Sequence, residues 1–334
     1  MPYVNVVHEW LICCVKWVFA LPGRVRRYVL RTIGAVYYMP NSDELCYEAL
    51  DILQIGTVLL HQQFFVDIDG TVFQCIARWM TRKYRDADAP FTSTEHGERQ
   101  VASFAKKHQI DIATTRWDRP IGQYHSMNDF FMRRYMNLEV ASSSIVYPAC
   151  ACVALFRSIH AIAQPLKGDV ALECASGIPA FCDFEQQFCL YCYLSPSDYH
   201  CFHSPIDGIV EEVVDLRHLP TCSGSVRPYL TNHQRPLVAY NRRYIIVIRN
   251  GCVKMALVIL GGFLVDSIRI DCGDIRKGMH LTKGQYLGAF ALGGSAILLL
   301  SNAEIRHVNP SMFDRPISTK VMACSALGEF VCMT

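Results

Sequence analysis

The second half of this chain consists of short apolar runs separated by turn residues, and this pattern limits the fold more than any other feature. Residues 188–194, 244–248 and 253–260 are apolar or alternating, and each is followed within two residues by Gly, Asn or Ser. Runs of this length, rich in aromatic and β-branched side chains, are typical of strands. The sequence therefore predicts that residues 135–310 are β-rich.

Two turn signals indicate how these strands connect. Residues 272–278 and 283–288 each carry Gly beside Asp or Lys, which suggests tight strand crossings in a curved or barrel-like sheet. Biotin- and lipoyl-carrying domains have similar turns, but no Met-Lys-Met-like tip is present to accept such a group. A carrier module is therefore disfavoured.

The first part of the chain has helical spacing of its apolar residues at 43–56, 70–85 and 98–108. The expected fold class is α+β, with a helical N-terminal region followed by a β-rich, curved-sheet or barrel-like domain. The expected boundaries are 1–34, 35–120 and 121–334.

Residues 3–21 are strongly apolar but include His8, Glu9 and Lys16, which are costly inside a bilayer. Four arginines follow within ten residues, and basic residues beside an apolar stretch favour anionic headgroups. We expect a helix in the membrane interface and hence a peripheral membrane protein. An amphipathic core helix and an organelle transit segment remain alternatives, whereas no basic region precedes the run as in a secretory signal.

Composition excludes some classes of function. The formal net charge of +2 argues against a nucleic-acid binder with a broad basic face. Sixteen cysteines without a short-scaffold pattern favour a reducing, intracellular compartment over a disulfide framework.

A serine after two glycines, Gly293-Gly294-Ser295, is a candidate self-cleavage site. Glycine permits strained backbone geometry, so the hydroxyl can approach the preceding carbonyl. A histidine elsewhere in the fold could accept the hydroxyl proton. His200 and His203 are the candidates.

Four segments carry a family resemblance. They are SPSDYHCFHSPIDG at 195–208, KGQYLGAF at 283–290 leading into Gly-Gly-Ser, SMNDFFMRR at 126–134, and LGGFLVDSI at 260–268. These resemble the SPxDYHRFHSPVDG, KGxELGxFxxGGST, FNEFFxRxL and VGAxxVGSI segments of phosphatidylserine decarboxylases. Their order and approximate spacing also match, from about residue 75 to residue 300, while the first seventy residues are not covered.

The resemblance implies a mechanism and its site residues. The chain would cut itself between Gly294 and Ser295, leaving pieces of 294 and 334 − 294 = 40 residues. Ser295 would become a covalent pyruvoyl group, an electron sink like pyridoxal phosphate, so no external cofactor is implied. By the same resemblance, His203 is the general base of self-cleavage, and His200 lies near the substrate carboxylate and the carbon to be reprotonated.

One departure concerns the catalytic aspartate of the family. Where the family has Pro-Ala-Asp, this chain has Pro148-Ala149-Cys150. Loss of the carboxylate in a serine triad costs on the order of ten-thousandfold in rate. Asp198 or Asp207 could substitute, although both are expected to be held in turns, and a Cys150 thiolate is a further possibility.

The resemblance implies phosphatidylserine as substrate and phosphatidylethanolamine as product. Residues assigned to substrate binding are Phe130, Arg133, Tyr199 and Ser267. Alternatives are decarboxylation of a free aromatic amino acid, or an unprocessed, inactive relative with a binding or regulatory role. Expected partners are the phospholipid membrane, the cleaved 295–334 piece and, by family likeness, a second copy of the chain.

Two further features have simpler interpretations. Cys189 and Cys192 form a C-x-x-C motif, as in zinc sites, but they lie in a predicted strand on opposite faces, so no metal is expected. Arginines at 133, 134, 242 and 243 could meet a headgroup phosphate or carboxylate; without the resemblance they are expected to be solvated.

Overall fold

The computed structural model of the protein describes residues 35–39, 44–48, 86–113, 115–157, 177–179, 181–184, 188–217, 242–261, 267–271, 273, 275–293, 295–309, 312–313 and 318–331. The predicted interfacial helix at 3–21 and the predicted helix at 70–85 lie outside these residues.

A ten-stranded sheet forms the centre of the described part. From one edge to the other its strands are β11 (His280–Leu281), β7 (Gly208–Asp215), β8 (Arg243–Asn250), β9 (Val253–Gly261), β13 (Ser295–Ser301), β5 (Phe188–Tyr193), β4 (Ala151–Phe156), β15 (Ser318–Val321), β1 (Ala35–Met39) and β2 (Glu44–Glu48). All neighbours pair antiparallel except β1 and β15, which are parallel. The three strands predicted from the sequence are confirmed as β5, β8 and β9.

Two three-stranded sheets complete the β structure. One has the order β10 (Ile268–Ile270), β12 (Tyr286–Phe290) and β6 (Cys201–His203); the other has β14 (Glu304–Arg306), β16 (Ala326–Val331) and β3 (Ile145–Val146). The described sheets are open rather than closed into a barrel. The expected α+β class with a β-rich second part is confirmed.

The large sheet is buried on both faces at its centre. In β13, Ile297 and Leu299 join one hydrophobic core, while Leu298 and Leu300 join the core on the other face. Side chains alternate along a strand, and full burial of each such side chain contributes about 1.5–3 kcal/mol. This strand therefore gives the residue at its start, Ser295, a rigid setting.

The same alternation separates the two cysteines of the C-x-x-C motif. Cys189 belongs to one core of the large sheet and Cys192 to the other. The prediction that they point to opposite faces is confirmed, so they cannot chelate one ion together.

Two α-helices of the described part of the chain lie between strands β2 and β3 in the sequence. Helix α1 (Thr94–His108) begins after Ser93, whose hydroxyl accepts from the His96 amide at 3.1 Å, as a favourable N-cap does. Helix α2 (Met127–Phe131) is capped by Ser126. The predicted helix at 98–108 is confirmed and starts four residues earlier than expected. No helix in the described part of the chain is long and apolar enough to cross a membrane.

The expected helix at 43–56 is wrong at residues 44–48, which form strand β2. This strand pairs antiparallel with β1 over five residues, and β1 in turn joins the sheet through β15. Pairing with a strand distant in the sequence can override local helical spacing, because strand preference depends on the surface available for packing.

The sequence predicts free thiols rather than a disulfide framework, and the described cysteines agree with one exception. Seven of the described cysteines are free thiols, as expected for a reducing compartment. Cys252, however, is disulfide-bonded, so the expectation does not hold at that position.

Candidate active site

Ser295 begins β13 at the centre of the large sheet. Its side chain is buried, and its carbonyl oxygen accepts from the Leu194 amide at 3.1 Å. Its Cα partner on the neighbouring strand is Gly261. Gly293, two residues earlier, has φ 149°, a value that glycine tolerates and other residues rarely adopt. Gly294 lies outside the described residues.

The segment that leads into Ser295 is held by two buried residues from other parts of the chain. The Leu292 amide donates to Asn128 Oδ1 at 2.8 Å, and the Ala291 amide donates to the Ser267 carbonyl at 2.6 Å. Sequence reasoning assigned Ser267 to the site but missed Asn128. The available signal was an amide side chain in one of the segments that carry the resemblance.

His203 forms hydrogen bonds through both ring nitrogens. Nδ1 lies 2.9 Å from the Gly284 carbonyl oxygen, and Nε2 lies 3.0 Å from the Tyr199 hydroxyl. Because a carbonyl only accepts, Nδ1 carries the proton and Nε2 accepts the tyrosine proton. Burial lowers the pKa of His203 to about 4. The imidazole is therefore neutral, and its basic nitrogen already accepts a hydrogen bond.

His200 lies just before β6, so the alternation of faces within that strand does not apply to the two histidines. Its Nδ1 donates to the Asp198 carbonyl at 2.9 Å, and its ring centroid lies 3.8 Å from that of Phe131. Burial lowers the pKa of His200 well below its ordinary value, and the positive charges of Arg133 and Lys320 lower it further. His200 is thus neutral, with the lone pair on Nε2.

Cys150 lies in the same buried cluster as Tyr199. Its Sγ accepts from the Ala323 amide at 3.2 Å, and Tyr135 packs against the same cluster. The Tyr135 ring stacks on that of Tyr199 with centroids 4.5 Å apart. Burial raises the pKa of the Cys150 thiol to about 11. Two tyrosine rings therefore connect Cys150 to His203, but the neutral thiol supplies no negative charge.

The two aspartates considered as substitutes for the family carboxylate are held in turns. Asp198 accepts from the Ser195 amide at 2.9 Å and forms an ion pair with Lys320. Asp207 accepts from the Lys283 amide at 2.8 Å. The prediction that both are occupied in turns is confirmed.

Two of the arginines expected to be solvated are buried. Arg133 is 0% exposed; its Nη2 donates to the Ser197 and Asp198 carbonyls at 3.0 and 2.9 Å, and its guanidinium lies 4.7 Å from the centroid of the Trp117 ring. Arg243 is 3% exposed, and burial lowers its pKa to about 10. The expectation of solvated charges is wrong for both. Carbonyl acceptors and an aromatic face replace water around Arg133.

Phe130 is a core residue of the helical part. It is 0% exposed, and its ring makes edge contacts with Phe104 and Tyr124 at centroid distances of 6.2 and 5.2 Å. The centroid of this ring also lies 4.9 Å from the guanidinium carbon of Arg133. The described contacts of Phe130 and Arg133 are with protein groups, and their assignment to substrate binding stays a prediction.

Comparison with known proteins identifies the family. A family model described as phosphatidylserine decarboxylase matches residues 127–328, more than half of the chain. The matched region contains Ser295, both histidines and Cys150. The chain belongs to the phosphatidylserine decarboxylase family. This is a family of lyases in phospholipid biosynthesis.

Phosphatidylserine decarboxylase proenzymes of several bacteria are similar to this chain. That of Legionella pneumophila is 27% identical over 228 residues, covering 61% of this chain and 78% of the relative. Those of Pseudomonas entomophila and Pseudomonas putida are 27% and 28% identical over 277 and 278 residues, covering 75% of this chain and 90% of each relative. The similarity therefore extends well beyond the four short segments.

Proposed function

We propose that this protein decarboxylates phosphatidylserine to phosphatidylethanolamine with a pyruvoyl group, formed when the chain cuts itself between Gly294 and Ser295. Family membership supports the reaction class. The observation that carries the proposal is the position of Ser295: buried at the start of a central strand, directly after a Gly-Gly pair, on a segment fixed by Asn128 and Ser267.

The residues around Ser295 fit a group made from that serine. The Phe290 amide donates to the His200 carbonyl at 2.9 Å, and the short Gly-Gly loop then leads from Phe290 to Ser295. On the other side, the Ser267 hydroxyl lies 3.2 Å from the place that a Cβ on Gly261 would occupy, and Gly261 is the strand partner of Ser295. The neutral imidazole of His200 and the hydroxyl of Ser267 thus belong to segments that contact the strands before and beside Ser295.

In self-cleavage, we assign His203 as the acceptor of the Ser295 hydroxyl proton. Its tautomer is suitable, because Nδ1 donates to Gly284 and the lone pair lies on Nε2. In the structure this lone pair accepts from Tyr199. Proton removal from the serine therefore requires the Tyr199 hydroxyl to give up that hydrogen bond or to pass the proton on.

In decarboxylation, a pyruvoyl group supplies a ketone that takes up the substrate amine and accepts the electron pair released as carbon dioxide leaves. We assign His200 to the carbon that gains a proton. Its Nδ1 proton is held by the Asp198 carbonyl, so any proton that it delivers must first be taken up at Nε2. The buried surroundings of His200 also exclude water from this step.

The proposed substrate class is a phospholipid. The bacterial relatives are named for phosphatidylserine, which supports the same substrate here. Action on a lipid places the protein at a membrane surface, with the segment before residue 34 as the proposed contact. Free aromatic amino acids are the competing substrates, and an inactive relative is the competing role.

The test begins with the intact mass of the purified protein. Two polypeptides of 294 and 40 residues are expected, the shorter one with a pyruvoyl N-terminus. The variant Ser295→Ala should remain a single chain, while Ser301→Ala, a buried serine at the other end of the same strand, should be processed normally. A single chain in the wild type would contradict the proposal.

Processed protein is then given phosphatidylserine vesicles and free tryptophan in parallel. Carbon dioxide release from the vesicles is expected. Release from tryptophan alone would replace the lipid with an amino acid as substrate, and release from neither would indicate a relative without this activity.

A further inference from the structure

Three charged side chains lie together beside His200; two of them are buried and the third is half-buried. Asp198 is 6% exposed, Arg133 is 0% exposed, and the side chain of Lys320 is 16% exposed. Lys320 forms an ion pair with the Asp198 carboxylate, and Arg133 donates to the Asp198 carbonyl at 2.9 Å. Lys320 thus pairs with the carboxylate of Asp198 and Arg133 with its backbone carbonyl, and two positive charges and one negative charge leave the cluster with one net positive charge.

The cluster controls a turn that holds His200. The turn runs from Ser195, whose amide donates to the Asp198 carboxylate at 2.9 Å, to Asp198, whose amide donates to the Ser195 carbonyl at 2.8 Å. The Asp198 carbonyl then accepts Nδ1–H of His200 at 2.9 Å. Any shift of the Asp198 side chain would therefore move the carbonyl that orients the imidazole.

Lys320 reaches this turn from a distant part of the chain. It lies on β15, where its Cα partner is Cys152 on β4. It also belongs to the 295–334 piece, whereas Asp198 belongs to the 1–294 piece. If the chain is cut before Ser295, this ion pair joins the two pieces.

We infer that Lys320 is a positioning residue for the decarboxylation: by holding the Asp198 carboxylate, it fixes the turn whose carbonyl orients His200. The inference rests on the proposed function for its consequence in catalysis. Its structural part rests only on the Lys320–Asp198 pair and the Asp198–His200 hydrogen bond.

Loss of the Lys320 charge should change the pKa of His200 in a definite direction. The charged groups that act on His200 are Arg133 from the segment after α2, Lys320 from β15 and His108 at the end of α1; the Asp198 carboxylate lies in the same turn and is paired with Lys320. Removing the lysine charge takes away a cation that lowers the His200 pKa, and it leaves the Asp198 carboxylate with the Ser195 amide but without its ion-pair partner. An anion nearby favours the imidazolium form, so His200 should take up a proton at higher pH.

The experiment follows the titration of His200 directly. Protein labelled with ¹³C at histidine is titrated by NMR, and the His200 signal is assigned with His200→Gln. In Lys320→Met, the His200 pKa should rise by about one unit or more relative to the wild type, and any pH dependence of kcat/KM due to His200 should move by the same amount. Lys320→Arg keeps the charge and should leave the titration unchanged, as should Lys277→Met at an exposed lysine.

A second variant separates positioning from folding. Asp198→Asn with Lys320→Met removes both charges of the pair, so the His200 pKa should return towards the wild-type value and the fold should recover if Lys320→Met alone is unstable. A His200 titration that is the same in the wild type and in Lys320→Met, or unrestored in the double variant, would overturn the inference. Because the NMR readout does not need turnover, a wild type without decarboxylase activity would count against the proposed function alone.

Discussion

Tyr199 donates a hydrogen bond to Nε2 of His203 at 3.0 Å, and the two rings lie within 18° of parallel. Gly284 accepts from the opposite nitrogen at 2.9 Å. The imidazole is therefore held at both ends in one tautomer. In the proposed proton transfer a fixed tautomer needs no reorientation, although the Tyr199 hydroxyl must give up its hydrogen bond to Nε2 or pass the proton on.

Replacing Tyr199 with phenylalanine removes the hydroxyl and keeps the ring. The lone pair on His203 Nε2 is then buried without its donor, so the free energy of unfolding should fall by about 1–3 kcal/mol. Urea unfolding with an unchanged m-value is the measurement. Tyr147→Phe is the matched control, since among the described residues the hydroxyl of this buried tyrosine donates to the Met312 sulfur alone, at 4.0 Å. Equal losses in both variants would argue against the importance of the Tyr199–His203 bond.

The lowered pKa of His203 predicts how stability depends on pH. In the unfolded chain the imidazole gains its proton near its ordinary pKa of about 6.5, whereas the folded protein resists protonation until about pH 4. The stabilisation is therefore complete above pH of about 6.5 and is lost as pH falls towards 4.

His203→Gln removes this titration while its amide can replace both hydrogen bonds. Between pH of about 7.5 and about 5, the wild type should lose about 2 kcal/mol more stability than the variant. Urea unfolding at both pH values measures the difference. His200 titrates in both proteins and cancels, so parallel pH profiles would show that His203 is not held neutral.

Gly284 combines a positive φ with a close neighbour. Its φ is +79°, and an added Cβ would lie 2.5 Å from Val140 Cγ2. Gly278 has φ +85° with nothing within 4 Å of the same position. Gly278→Ala should therefore cost about 1–2 kcal/mol for the backbone alone, and Gly284→Ala about 1–3 kcal/mol more for the clash.

Thermal unfolding of both glycine variants tests this difference. Because the Gly284 carbonyl holds His203, Gly284→Ala should also slow self-cleavage, and Gly278→Ala should not. Adding Val140→Ala removes the clashing methyl groups and should recover most of the extra loss. Failure to recover would assign the loss to the backbone.

Local apolar spacing was sufficient to predict strands β5, β8 and β9. The run at 188–194 forms strand β5 over Phe188–Tyr193. It is apolar throughout because both faces of the strand are buried, one in each core of the large sheet. The pattern failed at 44–48, where the partner strand decides the structure. Without the resemblance, the sequence also predicted that Arg133 is solvated. Nothing near it in the sequence indicates that the Trp117 ring and two carbonyl acceptors surround it.

Contacts between residues that are distant in the sequence could not be predicted either. The ion pair between Lys320 and Asp198 joins residues 122 positions apart, and the Asn128 amide that holds Leu292 lies 164 positions away. Only the fold brings such groups together. Spacing predicted the turns at Asp198 and Asp207 but not the partner of either carboxylate.

Cys150 offers a direct test of the missing carboxylate. The thiol is neutral because burial raises its pKa to about 11; the nearby Asp198 carboxylate contributes to the rise, and Lys320 opposes it. An aspartate at this position would place a negative charge in the cluster that contains Tyr199, whose hydroxyl contacts His203. That charge should stabilise the imidazolium that forms when the serine proton is removed.

Cys150→Asp should therefore speed the appearance of the 40-residue piece by at least about tenfold, within the ten-thousandfold or so that a carboxylate contributes in a serine triad. Pulse-labelled protein analysed by intact mass gives the rate. Cys150→Asn has a similar size without the charge, and it should not speed the reaction. Slower cleavage in Cys150→Asp than in the wild type would mean that the thiol, with its hydrogen bond from the Ala323 amide, has its own role in shaping the site.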